Sequence, residues 1–187
     1  MLVSSLSHVP KVPCSVVICV DCRPTITKGC WGLWSLKAVK AMSLTILALM
    51  KGGADITLTT LGEDKLMKQL PLNTTDTVET LGSRLEKVKG GVMDPALLMR
   101  WAREGTKRAD LVICMTDSHA EVDREDLWTE LELYRSTVCP VKHIYMALSS
   151  KSLFPTIANK TDPHMLDICG WGQDSTRIIQ AFAKDCF

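Results

Sequence analysis

The chain has almost no net charge: 22 Lys and Arg stand against 21 Asp and Glu over 187 residues, leaving +1. No global field therefore steers it toward nucleic acid or an acidic membrane, and binding of either kind would have to be local. It also lacks a continuous basic stripe and the aromatic signature of an RNA-recognition motif. No apolar run is long enough for a bilayer. Leu33 to Met50 is interrupted by Lys37 and Lys40, and its uncharged part, Ala41 to Met50, falls well short of the ~20 residues a spanning helix needs. Met1 to Ser7 has neither the basic start nor the apolar stretch of a secretory signal. A Gly-x-x-x-x-Gly-Lys-Ser/Thr phosphate loop, a Gly-x-Ser-x-Gly elbow, repeats and low-complexity tracts are all missing.

Cysteine, by contrast, is plentiful. Cys14, Cys19, Cys22, Cys30, Cys114, Cys139, Cys169 and Cys186 sit mostly inside or beside apolar runs, in a chain long enough to bury a core without disulfides. They read as reduced thiols of an intracellular, cytoplasmic protein. Cys19 and Cys22 have redox spacing, but a disulfide oxidoreductase needs its first thiol at a helix start and Cys19 falls within a strand. Cys19, Cys22 and Cys30 lack the second close ligand pair of a zinc site.

Strand and helix patterns alternate along the chain. The apolar runs Ser15–Val20, Leu111–Thr116 and Lys142–Ala147 predict buried strands, Asp55–Thr60 predicts a further one from its β-branched residues, and Lys65–Leu70 predicts an edge hairpin with it. Helices are expected over Leu33–Met50, from Asp76 or Thr77 to Lys87, and over Ala96–Glu104 behind the Asp94-Pro95 cap, with Leu97, Leu98 and Trp101 inward. Two more are expected over Asp123–Ser136 and after a Ser175 cap, the last with Ile178, Ile179, Phe182 and Cys186 on one face. This alternation implies an α/β fold, a mostly parallel central sheet with helices on both faces. Ligands of such sheets lie beyond the carboxyl ends of the strands at the switch in strand order, where Asp21 and Asp117 end their strands as neighbours.

Several segments together resemble a known family. Val17-Ile18-Cys19-Val20-Asp21, Gly90-Gly91 before the Asp94–Ala102 helix, Val112-Ile113-Cys114-Met115-Thr116-Asp117 and, most distinctively, Asp162-Pro163-His164-Met165-Leu166-Asp167-Ile168-Cys169-Gly170-Trp171 span nearly the whole sequence. They resemble the von Willebrand factor A domain at the C-terminal end of the Ro ribonucleoprotein autoantigen. The resemblance implies a Rossmann-like A domain over residues 1–187, with 1–13 expected as a flexible N-terminal segment. In the Ro protein that domain is joined to a helical-repeat ring that binds small noncoding RNA and the ends of misfolded RNA. No counterpart of the ring lies in this sequence, so the resemblance does not bring the RNA activity with it.

A-type domains hold a metal at an adhesion site written DxSxS, and the resemblance carries its two aspartates onto Asp21 and Asp117. Thr25 keeps one hydroxyl, whereas Arg23 replaces the first serine and Val92 or Met93 replaces the threonine expected after Gly-Gly. A small divalent cation such as Mg²⁺ takes six oxygen ligands at about 2.0–2.1 Å, and a guanidinium offers only donors and a permanent positive charge. Pro24 also biases Arg23 toward extended backbone. No metal or other cofactor is therefore expected; a retained metal would rest on Asp21, Thr25 and Asp117. Arg23 either pairs with Asp21 and Asp117 or points into water.

The expected function is a non-catalytic module that binds a protein or ribonucleoprotein partner at the strand-end face of Asp21, Arg23, Thr25, Val92, Met93, Asp94, Asp117 and His119. Tight direct RNA binding and membrane association are not expected. The rival is a haloacid-dehalogenase-like phosphoryl-transfer enzyme with Asp21 as nucleophile, whose loop would need an acid where Arg23 stands. Trp31 and Trp34 offer an aromatic partner-binding patch near that face, although Trp34 also has helix-core spacing with Ala38 and Ala41.

Overall fold

The computed structural model describes residues 14–118, 122–153 and 156–186. The chain opens with β1 (Ser15–Val20), whose last five residues are fully buried because both faces of the strand are covered. A short 3₁₀ turn, Pro24–Thr27, leads into an antiparallel hairpin of β2 (Gly29–Cys30) and β3 (Leu33–Lys37). Then follow α1 (Ala38–Lys51), β4 (Asp55–Leu61), β5 (Met67–Gln69), α2 (Val78–Leu85) and α3 (Pro95–Glu104). The remainder is β6 (Leu111–Thr116), α4 (Arg124–Thr137), β7 (Lys142–Ala147), β8 (Met165–Cys169) and α5 (Ser175–Ala183).

Six strands form the main sheet in the order β5-β4-β1-β6-β7-β8. All its pairings are parallel except β4–β5, the expected edge hairpin. The chain leaves β1 for β4 on one side and later returns to place β6 on the other, so the switch in strand order falls between β1 and β6. Alternation along each strand divides the core. Val16, Ile18, Val20, Ile113 and Met115 pack with α1, α2 and α5 on one face, while Val17, Cys19, Val112, Cys114 and Tyr145 pack with α3 and α4 on the other.

Local chemistry explains the helix starts. Asp94 caps α3 by accepting from the amides of Ala96 and Leu97 at 3.0 and 3.1 Å, and Pro95 supplies a first helical residue with no amide to satisfy. Thr77 and Thr80 form a reciprocal capping box for α2. Tyr134 fixes α4 to the segment between α3 and β6, because its buried hydroxyl donates to the Lys107 carbonyl at 2.5 Å and accepts from the Ala109 amide at 3.0 Å. Tyr134→Phe should therefore cost about 1–3 kcal/mol, since it strands the buried Ala109 amide and a half-buried carbonyl. Guanidinium denaturation would measure it, with an unchanged midpoint counting against this role.

Four sequence expectations require correction. Leu33–Lys37 is not the first turns of a helix but the second hairpin strand, held by pairing of Gly29 with Lys37 and Cys30 with Leu33 around Gly32 at φ 81°. Trp34 is consequently exposed, not a helix-core residue. In α3 the buried side is Leu98, Met99 and Ala102, with Leu97 and Trp101 only half-buried. In α5, Ser175 is the first helical residue rather than the cap, its hydroxyl accepting from the Gly172 amide; Ile179 and Phe182 are buried, Ile178 is largely outside, and Cys186 lies beyond the helix. The strand β8 has no counterpart among the expected elements. Residues 1–13 lie outside the described residues.

Candidate functional site

Asp21 and Asp117 follow β1 and β6 directly, on either side of the switch point. The Asp21 amide continues the ladder by donating to the Met115 carbonyl at 2.8 Å, so the two carboxylates are brought together by sheet register alone. Both side chains are fully withdrawn from solvent. Such a pair of buried anions needs cations and donors around it.

Arg23 supplies most of them. Its backbone amide donates to Asp21 Oδ1 at 3.0 Å, its Nε lies 3.0 Å from both Asp21 oxygens, and its Nη2 donates to Oδ2 at 2.5 Å. The same Nη2 stands 3.6 Å from Asp117 Oδ1. Hydrogen bonding to Asp21 holds the guanidinium above its ordinary pKa, with both carboxylates adding to the effect. Extended backbone at Arg23, with ψ 156°, is what a residue before proline prefers, and it folds the side chain back over the strand end. Of the two dispositions open to Arg23 in the sequence, the pairing is the one observed.

Thr25 faces the second carboxylate, its hydroxyl donating to Asp117 Oδ1 at 3.1 Å. Thr116 and Lys28 also belong to the cluster, although neither stood out in the sequence. The Thr116 hydroxyl donates to Asp21 Oδ2 at 2.8 Å, a contact detectable only from the alignment of β1 with β6. Lys28 Nζ lies 3.5 Å from Asp117 Oδ2, an oxygen that accepts no hydrogen bond among the described residues. Two aspartates are thus matched by two cations, one largely enclosed and one reaching in from solvent.

The remaining residues are arranged less uniformly. Gly90 and Gly91 allow their loop to lie against the strand ends: a Cβ on Gly90 would meet Cys22 at 2.8 Å, and one on Gly91 would strike the Gly62 carbonyl. Val92 then projects into solvent at 57% exposure, while Met93 turns into the core beside α3. Asp94 is engaged in capping α3, and His119 lies outside the described residues. Beside the cluster opens a groove of about 780 Å³, lined by Arg23, Thr25, Gly91, Val92, Leu97 and Val122 among others.

The other motif candidates do not form sites. Cys19 and Cys22 are buried, and burial pushes their thiols up to about 12 and about 11, the reverse of the thiolate stabilisation that redox chemistry requires. Among the described residues, no group of three or more His, Cys, Asp or Glu side chains is placed to hold a metal ion. No helix among them is long and apolar enough to cross a membrane.

This geometry coincides with a known domain type. The family described as the Ro60 vWA domain matches residues 15–183. The chain belongs to that family. Among solved structures, the RO (RSR) protein of Deinococcus radiodurans superposes with a TM-score of 0.87 at 19% identity, over 97% of this chain and 36% of that one. The SpRpn10 VWA domain matches at TM-score 0.50 and 16% identity, over 84% of this chain and 87% of that domain. Proximal thread matrix protein 1 of the mussel byssus matches at 0.52 and 15%, over 93% and 47%. At these identities the likeness is one of fold, and this chain spans little more than a third of the Deinococcus protein. Von Willebrand factor A domains as a class are interaction modules and are generally not catalytic.

Proposed function

We propose that the protein is a non-catalytic module that holds a protein partner, alone or within a ribonucleoprotein, at the strand-end face and without a metal ion. The observation that carries this reading is the Arg23 guanidinium seated on Asp21 and beside Asp117, where the family's cation would be expected. The donor set does not fit a divalent ion. Both Asp21 oxygens accept hydrogen bonds from Arg23, Thr25 donates its hydroxyl to Asp117, and neither Val92 nor Met93 brings an oxygen ligand on its side chain. A fixed internal cation can hold the strand-end loop in shape, leaving the groove beside Val92 and Leu97 for contact with a partner.

The phosphatase reading is disfavoured by the same contacts. A nucleophilic carboxylate must reach a phosphorus atom, yet Asp21 is buried with both oxygens occupied, and Arg23 cannot serve as the general acid. Nearly balanced charge supports a protein over direct RNA contact, and eight free cysteines suit a reducing, cytoplasmic setting.

Thermal unfolding should be unmoved by Mg²⁺ or Mn²⁺, because an ion selective for the native state raises stability by RT ln(1 + [L]/Kd). A saturable rise at micromolar ion would overturn metal independence. Arg23→Ser combined with Val92→Thr is the complementary variant, in which an ion-dependent rise is expected. Affinity isolation from native cells, with and without RNase, tests the partner: capture that survives RNase and fails with Arg23→Glu supports a direct protein contact at this face.

A further inference from the structure

The described residues expose seven large apolar side chains, and three of them, Trp31, Leu33 and Trp34, sit together on the β2–β3 hairpin. Elsewhere such exposures are scattered singly. The hairpin is held firmly. Trp31 donates its amide to the Leu148 carbonyl at 2.8 Å, just past β7, and Ala38 donates to the Lys28 carbonyl at 2.8 Å across the hairpin's base, while Cys30 is buried behind it. Gly170, at the end of β8 with φ 70°, lies so close that an added Cβ would come within 2.9 Å of the Trp31 carbonyl. The apolar residues are therefore displayed on a braced support, with Trp31 and Trp34 edge to face at 5.0 Å between ring centres.

The segment that carries this patch has charge of one sign. From Cys22 to Ala54 the sequence contains no Asp or Glu, but it contains Arg23, Lys28, Lys37, Lys40 and Lys51. Lys151 joins from the loop after β7, its ammonium 5.8 Å from the Trp31 ring centre. Lys37, Lys40 and Lys151 are exposed and form no ion pair among the described residues. Lys28, at the foot of the hairpin, links the patch to Asp117 and hence to the strand-end cluster.

We propose that the hairpin is a docking surface for an acidic protein segment, whose large apolar side chain seats on the Trp31–Trp34 pair while its carboxylates pair with Lys37, Lys40 and Lys151. This rests on the reading of the protein as a partner-binding module and gives that partner its chemistry. Aromatic anchors ringed by charges complementary to the ligand are the pattern of a specific interface. Single-stranded RNA is the poorer fit, because the two indoles pack against one another edge to face instead of offering parallel platforms. A membrane fits less well too, since burying Trp31 in lipid would draw the Lys151 ammonium out of water.

The test is fluorescence titration of the full chain with an array of short labelled acidic peptides carrying Leu, Ile, Phe or Trp anchors. Poly(U) and phosphatidylserine-containing vesicles are the competing probes. We expect peptide binding that weakens ~10-fold with Trp34→Ala and again with Lys37→Glu, and that falls as salt rises. Both positions are exposed, so the variants should fold, and Leu133→Glu, at an exposed apolar residue of α4 on the other side of the sheet, should leave this binding unchanged. No peptide binding, binding insensitive to both hairpin variants, or Trp34-dependent binding of poly(U) or vesicles in place of peptide would each overturn the proposal. Metal titrations and RNase-resistant capture at the Arg23 face do not pass through the hairpin, so its failure leaves that reading standing.

Discussion

Arg23→Met is expected to destabilise the protein by about 3 kcal/mol, near the lower end of the range for removing one partner of a buried ion pair. The variant keeps much of the side-chain volume but leaves Asp21 and Asp117 facing each other without the guanidinium, both wholly buried. The Arg23 side chain is 24% exposed, which places the effect at the lower end because water softens the interaction. Lys28 compensates little: it is more than half exposed and stands 3.5 Å from one oxygen. The midpoint of thermal unfolding should fall by roughly 6–12 °C at this chain length. A second substitution separates lost charge from lost packing, since Asp21→Asn in the Arg23→Met background removes one stranded anion and should recover part of the loss. A change under about 0.5 kcal/mol for Arg23→Met, the size of an ordinary surface substitution, would mean that the guanidinium stabilises nothing at this site.

That site is partly legible in the sequence. Two apolar runs each ending in aspartate, together with alternating helices, are enough to place Asp21 and Asp117 at one edge, because parallel register leaves little freedom there. The limits Ser15–Val20, Leu111–Thr116 and Lys142–Ala147 agree with the strands because continuous burial leaves a continuous apolar signal. What could not be read were features set by contacts distant in sequence. Thr116 reaches Asp21 only through strand pairing, and Lys28 reaches Asp117 only through the 3₁₀ turn that redirects the chain. The hairpin was hidden because Leu33–Met50 is mostly apolar and carries only two charges, Lys37 and Lys40, so strand and helix share one hydrophobic signal until Gly32 and the pairing with Gly29–Cys30 decide. Strand β8 was obscured by Asp167 at its centre, a polar residue whose carboxylate accepts from the Ile157 and Ala158 amides and so ties down the loop before it.

Stability should also fall as pH is lowered from about 6.5 toward 4, and His143 is the expected cause. It sits on β7, fully buried beneath α4, with Cys114 Sγ 3.7 Å from its Nε2. Burial, reinforced by the charge of Arg135 and opposed by Asp162, depresses its pKa to about 4 from an ordinary 6.5. The unfolded chain therefore takes up a proton between those values that the native protein refuses. Histidine's contribution is fully retained above the unfolded value, declines by up to about 1.4 kcal/mol per pH unit below it, and stops declining near the folded value. The ceiling is roughly 3 kcal/mol over that window. Carboxylates follow a separate course: Glu130 is held below its usual range by Arg100 and Arg103 against the cost of burial, and Asp162 by Arg135. Their contributions are present above the ordinary carboxylate values and are lost only as pH falls through their lowered ones. Denaturant unfolding at intervals from pH 7 to pH 5 thus separates histidine titration from that of the carboxylates. His143→Gln should flatten the slope across that interval whatever it costs in absolute stability. An unchanged slope in the variant would assign the pH dependence to other groups.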